Sequence, residues 1–197
     1  MSTKAKIPDD ILKILDAVEE ENRRRRTSLV QRIVEWNRDR DLFFFDANQE
    51  VHMLSVCAND FFYSRSLIER LNALADFEFV WFGAASKYGA MVFANMEEMA
   101  AAERHYQSLF SWKESVYTII IENVVAELSE HCAGGEEEAE WIALLLERIL
   151  TIVIEANEKR PFGESRDMST WKKWLKSSKR EIELTFNDWL LEMEEEE

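Results

Sequence analysis

The scarcity of glycine and proline constrains what this chain can fold into more than any other feature. Its 197 residues include five Gly and two Pro, whereas an average chain of this length has about 24 of the two together. Turns and strand ends depend on these residues, and 47% of the chain is hydrophobic. We therefore predict an all-α fold.

Helix starts are marked at several places. Apolar residues recur at intervals of three and four, the spacing of one helix face. Four segments match a capping box, in which a capping side chain is followed three residues later by Glu or Gln. These boxes begin at Ser28, Ser66, Asn95 and Ser111, and Asp46 followed by Gln49 predicts one more start. The patterns predict a single helical domain over residues 1–197, a bundle of about seven helices, ending in a solvated acidic tail at 191–197.

Some boundaries stay open at this level. Residues 9–39 fit one helix or two, and residues 77–93 fit either a buried helix or a short β-hairpin, since aromatic residues and two glycines occur together there. The box at Ser111 predicts separate helices, Met96 to Phe110 and Trp112 to His131. The run from Leu42 to Phe45 is expected to be buried, and the wide apolar face of residues 142–154 predicts the central helix of the core.

The same patterns bear on location. Acidic and basic residues interrupt the most apolar windows well short of the roughly 18–20 residues that a membrane span needs, and the first ten residues lack the apolar core of a signal peptide. Two cysteines without close spacing argue against a disulfide framework. We expect a protein of the cytoplasm or nucleus, or of the host cell interior if it is viral, with no membrane partner.

Charge is unevenly distributed along the chain. The net charge is −15, and residues 41–158 alone carry twenty-one acids against six bases. Residues 181–197 carry eight acids and no base. Such a chain repels nucleic acid over most of its surface and favours basic partners.

These observations predict a non-enzymatic protein that binds a macromolecular partner. A basic protein that handles nucleic acid is the expected partner, and an inhibitor, an adaptor or a nucleic-acid mimic of viral or phage origin fits the composition. The densest candidate contact residues are Glu136, Glu137, Glu138 and Glu140. The aromatic run at residues 77–82 is a further candidate for apolar anchoring.

An alternative function is RNA or DNA binding through two basic islands. Lys and Arg residues in a row neutralise backbone phosphates, and neighbouring tryptophans offer stacking surfaces. The residues of the islands are Arg23, Arg24, Arg25, Arg26, Lys172, Lys173, Lys176, Lys179 and Arg180.

Catalytic and cofactor motifs are missing from the sequence. His52, His105 and His131 lie far apart and lack zinc-ligand spacing, so they are interpreted as surface or helix-end residues. Nucleophile and phosphate-loop motifs do not occur, and we expect no cofactor or metal. An enzyme with a carboxylate site is the remaining alternative, and it requires a pocket where two carboxylates meet.

Overall fold

The computed structural model describes the backbone of residues 9–132, 137–159 and 168–196, and the side chains of residues 12–132, 137–159 and 178–193. Within these ranges the chain forms seven helices and no strand, which confirms the all-α prediction. The helices are α1 (Asp9–Arg25), α2 (Thr27–Asp39), α3 (Ala47–Phe62), α4 (Leu67–Gly89), α5 (Met96–Ser129), α6 (Glu138–Glu158) and α7 (Met168–Glu196).

Two adjacent helices, α4 and α6, form the centre of the bundle. Every residue from Leu71 to Trp81 of α4 is buried, and α4 packs against α2, α3, α5, α6 and α7. The predicted central helix, α6, buries Ile142, Leu145 and Ile149 on its wide face and lies directly against α4. Buried residues from all seven helices join one hydrophobic cluster, so the core is continuous from α1 to α7.

The ambiguous segment at residues 77–93 is helical through Gly89, and the hairpin alternative is wrong. Neighbouring helices surround this part of α4, so aromatic and β-branched residues are buried on all of its sides. A helix that is buried all round has no polar face. This burial explains why its sequence resembles a strand. It also removes residues 77–81 as an exposed anchor for a partner, whereas Phe82 is half-buried.

Residues 9–39 form two helices that meet at Arg26. The Arg26 side chain turns into the core and lies 2.5 Å from the Glu78 carboxylate. The capping box predicted at Ser28 is wrong, since α2 begins at Thr27 and has no side-chain cap. At this junction a buried ion pair is present, and a side-chain cap is not.

Of the other four predicted helix starts, three have the predicted cap and one is wrong. Asp46 accepts hydrogen bonds from the backbone N–H groups of Asn48 and Gln49, Ser66 accepts one from Glu69, and Asn95 accepts one from Glu98. The start at Ser111 is wrong, because α5 continues unbroken through that position. Neither Gly nor Pro occurs between Met96 and Ser129, so nothing interrupts the backbone hydrogen bonds of the helix.

Because Asp46 caps a helix and Ser111 does not, replacing each by Ala is expected to change stability differently. Replacement of Asp46 by Ala removes a side-chain cap, and we expect the free energy of unfolding to fall by about 1 kcal/mol. Replacement of Ser111 by Ala, in the exposed interior of α5, is expected to leave stability unchanged or raise it slightly, because Ala is the better helix former. Urea unfolding of the two variants measures both effects, and equal losses would contradict the assignment of the caps.

The last helix extends further than the sequence predicts. Ile182, Phe186 and Trp189 of α7, spaced three and four residues apart, are buried. The backbone remains helical to Glu196, so most of the predicted tail at 191–197 continues the helix. The predicted stripe residues Trp171 and Trp174 lie outside the described side chains.

Candidate functional site

The predicted acidic cluster at the start of α6 is partly used within the protein. Glu140 accepts a hydrogen bond from Arg25 at 3.0 Å, and Glu136 lies outside the described residues. Glu137 is exposed and Glu138 is half-buried, both near the positive end of the α6 dipole, where negative charge is stabilised. Two of the four carboxylates are therefore placed near the surface, and a third is paired with an arginine.

The first basic island is paired with carboxylates along its whole length. Arg23 and Arg24 contact Glu20 and Glu21 one turn back. Arg25 pairs with Glu140 and Glu147 of α6, and Arg26 pairs with Glu78. Arg23 and Arg24 stay exposed in their pairs, whereas Arg25 and Arg26 are held against α6 and α4.

The second basic island is described only at its end. Lys179 pairs with Glu69 at 3.2 Å, and Arg180 is exposed. The pKa of Glu69 is lowered most by a hydrogen bond from the Arg65 backbone N–H and next by one from Lys179. Lys172, Lys173 and Lys176 lie outside the described side chains.

A group of five exposed apolar side chains lies in the α2–α3 connection, the α4–α5 connection and the first turn of α5. We call it the apolar end. Val92 is 93% exposed, Met96 80% and Phe44 76%. Its members are Phe43, Phe44, Val92, Met96 and Met99.

Backbone geometry in the α2–α3 connection explains why these phenylalanines face outward. Asp41 has φ 54°, a left-handed conformation that Asp tolerates better than most residues, and it turns the chain away from α2. The extended residues that follow place only Phe45 in the core. The expected burial of the whole Leu42–Phe45 run is therefore wrong for Phe43 and Phe44.

A stack of aromatic rings packs against Phe45 of the α2–α3 connection. The Tyr88 and Tyr106 rings are stacked with centroids 4.0 Å apart. Phe45 meets both rings edge-on, at 5.6 Å and 5.8 Å. Phe45 therefore attaches the α2–α3 connection, with its exposed Phe43 and Phe44, to α4 and α5.

Carboxylates surround this surface. Glu97, Glu98 and Glu103 are exposed on the first turns of α5, and none of them forms an ion pair with a residue that the structure describes. Arg104 is the one Lys or Arg between residues 88 and 112 of the sequence. Met96, Met99 and Glu103 share one helical face by their spacing, so an acidic group follows two apolar ones along it.

A second feature is a buried polar cluster between α2, α4 and α5. The Tyr117 hydroxyl donates to the Glu78 carboxylate at 2.7 Å, and Arg26 donates to the same oxygen. Burial, and then the Glu78 charge, raise the pKa of Tyr117. Although burial alone would lower the pKa of Arg26, the Glu78 carboxylate raises it. Both groups therefore keep their protons at neutral pH, with Arg26 charged and Tyr117 neutral.

Sequence reasoning missed this cluster, although a signal for it was present. Glu78 is the one charged residue in the aromatic run at 77–82. A carboxylate inside a buried apolar helix requires a cation or hydrogen-bond donors. That requirement predicts a buried cation or hydrogen-bond donor beside Glu78.

Histidines and metal sites offer no further candidate among the described residues. His52, His105 and His131 are all exposed, as their interpretation as surface or helix-end residues predicted. In the part of the chain that the structure describes, no three His, Cys, Asp or Glu side chains come together as metal ligands. No described helix combines the length and the apolar character of a membrane span. Comparisons with protein-family models, with curated proteins and with solved structures find no match to this chain.

Proposed function

We propose that this chain is a non-enzymatic binding protein whose apolar end docks onto a basic protein partner. The observation that carries the proposal is the exposure of five large apolar side chains in the α2–α3 connection, the α4–α5 connection and the first turn of α5, with three exposed carboxylates on the first turns of α5. Contiguous exposed apolar surface commonly marks a site of protein–protein contact. Buried aromatic and methionine side chains are also enriched in the centres of such interfaces.

Charge indicates the class of partner. With a net charge of −15 and unpaired carboxylates on α5, the protein attracts positively charged surfaces and accelerates encounters with them. Proteins that handle nucleic acid carry such basic surfaces. The proposed role is that of an inhibitor or adaptor that occupies the basic face of a nucleic-acid-handling protein. Glu137 and Glu138 contribute to the long-range field of the molecule.

Direct nucleic-acid binding has less support. Arg23 to Arg26 are paired with carboxylates of the same chain, and the net charge repels phosphates. The alternative then depends on Lys172, Lys173, Lys176 and Arg180. Filter binding of an oligonucleotide at low salt tests it, since phosphate contacts are strongest there.

Affinity capture from the native host lysate tests the proposed function. We expect the wild type to retain a basic protein that is largely lost at high salt, where surface charges are screened. A double substitution at the apolar end, Phe44→Asp with Met96→Asp, is expected to reduce affinity for the purified partner at least about tenfold. Both side chains are exposed, so the melting temperature should change little.

The matched control is Leu184→Asp on α7. Leu184 is also exposed, at 54%, but lies outside the apolar end, and we expect its substitution to leave affinity unchanged. Full retention of the partner by the Phe44/Met96 variant would refute docking at the apolar end. Recovery of nucleic acid alone from the wild type would refute the partner class.

A further inference from the structure

A cleft lies between the α1–α2 junction and α5, with α4 at its floor. Its volume is about 640 Å³, within the range of small-ligand sites. The lining side chains that matter here are Asn22, Arg26, Gln31, Phe82, Lys113 and Tyr117. The cleft is lined by other residues than the apolar end, and the inference does not rest on the proposed function.

Arg26 is the unusual group in this cleft. It is 6% exposed, and its Nη1 atom binds Glu78. Its Nε and Nη2 atoms are buried and have no hydrogen-bond partner among the described residues. A buried donor without a partner costs about 1–3 kcal/mol, and more when it is charged.

The two unused atoms form one edge of the guanidinium group. Nε–H and Nη2–H point in parallel, the geometry that binds the two oxygens of a carboxylate or phosphate. Asn22, one helical turn earlier, also has a buried Oδ1 atom with no partner among the described residues. The two donors and this acceptor belong to residues that line the cleft, and all three atoms are themselves closed to solvent.

A second cation lies in the same cleft. The Lys113 ammonium is held 4.5 Å from the centroid of the Tyr117 ring and 4.9 Å from that of Trp81. It contacts Glu114 at 2.7 Å, and that carboxylate is 48% exposed. Because water can solvate Glu114 at little cost, Lys113 is available to an incoming anion.

Charge balance selects the class of ligand. Arg23, Arg26 and Lys113 line the cleft with Glu19 and Glu114, and Glu78 already offsets Arg26 from below. These three cations and three carboxylates balance, so a dianionic phosphate would add more uncompensated charge than a monoanion does, and an apolar body of such a monoanion fits beside Phe82. Arg23 and Gln31 are exposed side chains of the lining, and a ligand reaches the buried edge only when lining side chains move.

We propose that this cleft binds a small carboxylate ligand through the Nε–Nη2 edge of Arg26, with the Lys113 ammonium as a second cation. The carboxylate is that of a free organic acid or of the C-terminus of a peptide. The bound ligand satisfies the donors that the folded chain leaves unpaired.

Nuclear magnetic resonance of the full chain with ¹⁵N-labelled arginine tests this. The probe is sodium benzoate, and benzamide is its neutral analogue of the same shape. We expect benzoate to shift the Arg26 Nε–H signal saturably with a Kd of about 1 mM, typical of a fragment-sized ligand, and benzamide to leave it unshifted. A free-acid tetrapeptide and its amidated form separate the two sources of carboxylate.

Two variants locate the site. Arg26→Lys keeps a cation for Glu78 but lacks the parallel edge, and Lys113→Met removes the second cation without touching Glu78. Each is expected to weaken benzoate binding about tenfold or more, the effect of losing a charged hydrogen bond. Arg148→Lys, at a surface ion pair with Glu192, is the control and should bind as the wild type does. If Arg26→Lys does not fold, Lys113→Met decides alone.

Three results would overturn the inference. Equal shifts with benzoate and benzamide would mean that the cleft takes up apolar groups only. A stronger response to inorganic phosphate than to benzoate would contradict the carboxylate class. Absence of any shift at saturating benzoate, or wild-type affinity in either variant, would leave water as the partner of the Arg26 edge.

Discussion

Replacement of Arg26 by Met is expected to lower the free energy of unfolding by about 3–5 kcal/mol, the usual effect of removing one partner of a buried ion pair. The Glu78 side chain is 4% exposed, so its carboxylate would stay in the core with only the Tyr117 hydroxyl as a donor. Urea unfolding at neutral pH measures the loss.

A second substitution separates charge from packing. In the double variant Arg26→Met with Glu78→Met, both charges are absent, and we expect most of the stability to return because apolar side chains of similar volume often replace buried ion pairs without loss. A double variant as unstable as the single one would show that the Arg26 stem, and not the unpaired carboxylate, causes the effect. A loss below about 1 kcal/mol in the single variant would mean that the pair behaves as a surface ion pair.

Replacement of Trp189 by Ala is expected to cost about 3–5 kcal/mol through the cavity that it leaves. Trp189 is fully buried, its ring stacks on Phe186 with centroids 5.7 Å apart, and its Nε1–H donates to the Trp141 carbonyl oxygen at 2.9 Å. It thereby attaches α7 to the start of α6. We expect the melting temperature to fall by roughly 6–20 °C, given a shift of 2–4 °C per kcal/mol for a chain of this size.

The control lies two residues further along the same helix. Leu191 is 58% exposed, so Leu191→Ala is expected to change stability by no more than about 0.5 kcal/mol. Comparable losses in the two variants would indicate that α7 as a whole is loosely attached, and would contradict the close packing around Trp189.

The fold class was predictable because it depends on local chemistry. The lack of Gly and Pro leaves few places for turns. Asp46, Ser66 and Asn95 cap the helices that follow them. Ser28 and Ser111 match the same short pattern, yet neither begins a helix. A capping box competes with continued helix formation, and without a breaker nearby the continuous backbone hydrogen bonds prevail.

The candidate surfaces were less predictable because they depend on contacts distant in sequence. Glu78 signals a buried partner, but nothing near it identifies Arg26, 52 positions away. Phe43 and Phe44 look identical to Phe45 in a hydrophobicity pattern. Only the turn at Asp41 and the Tyr88–Tyr106 stack determine which of the three is buried.

The unbroken course of α5 fixes the angular relation between two distant surfaces. This helix carries Met96 and Met99 near its start and forms one wall of the cleft with Lys113 and Tyr117. Each residue of an α-helix advances the phase by about 100°. Deleting a single residue between positions 100 and 112 would therefore rotate one surface against the other by that angle, whereas a break at Ser111 would have let a loop absorb the change.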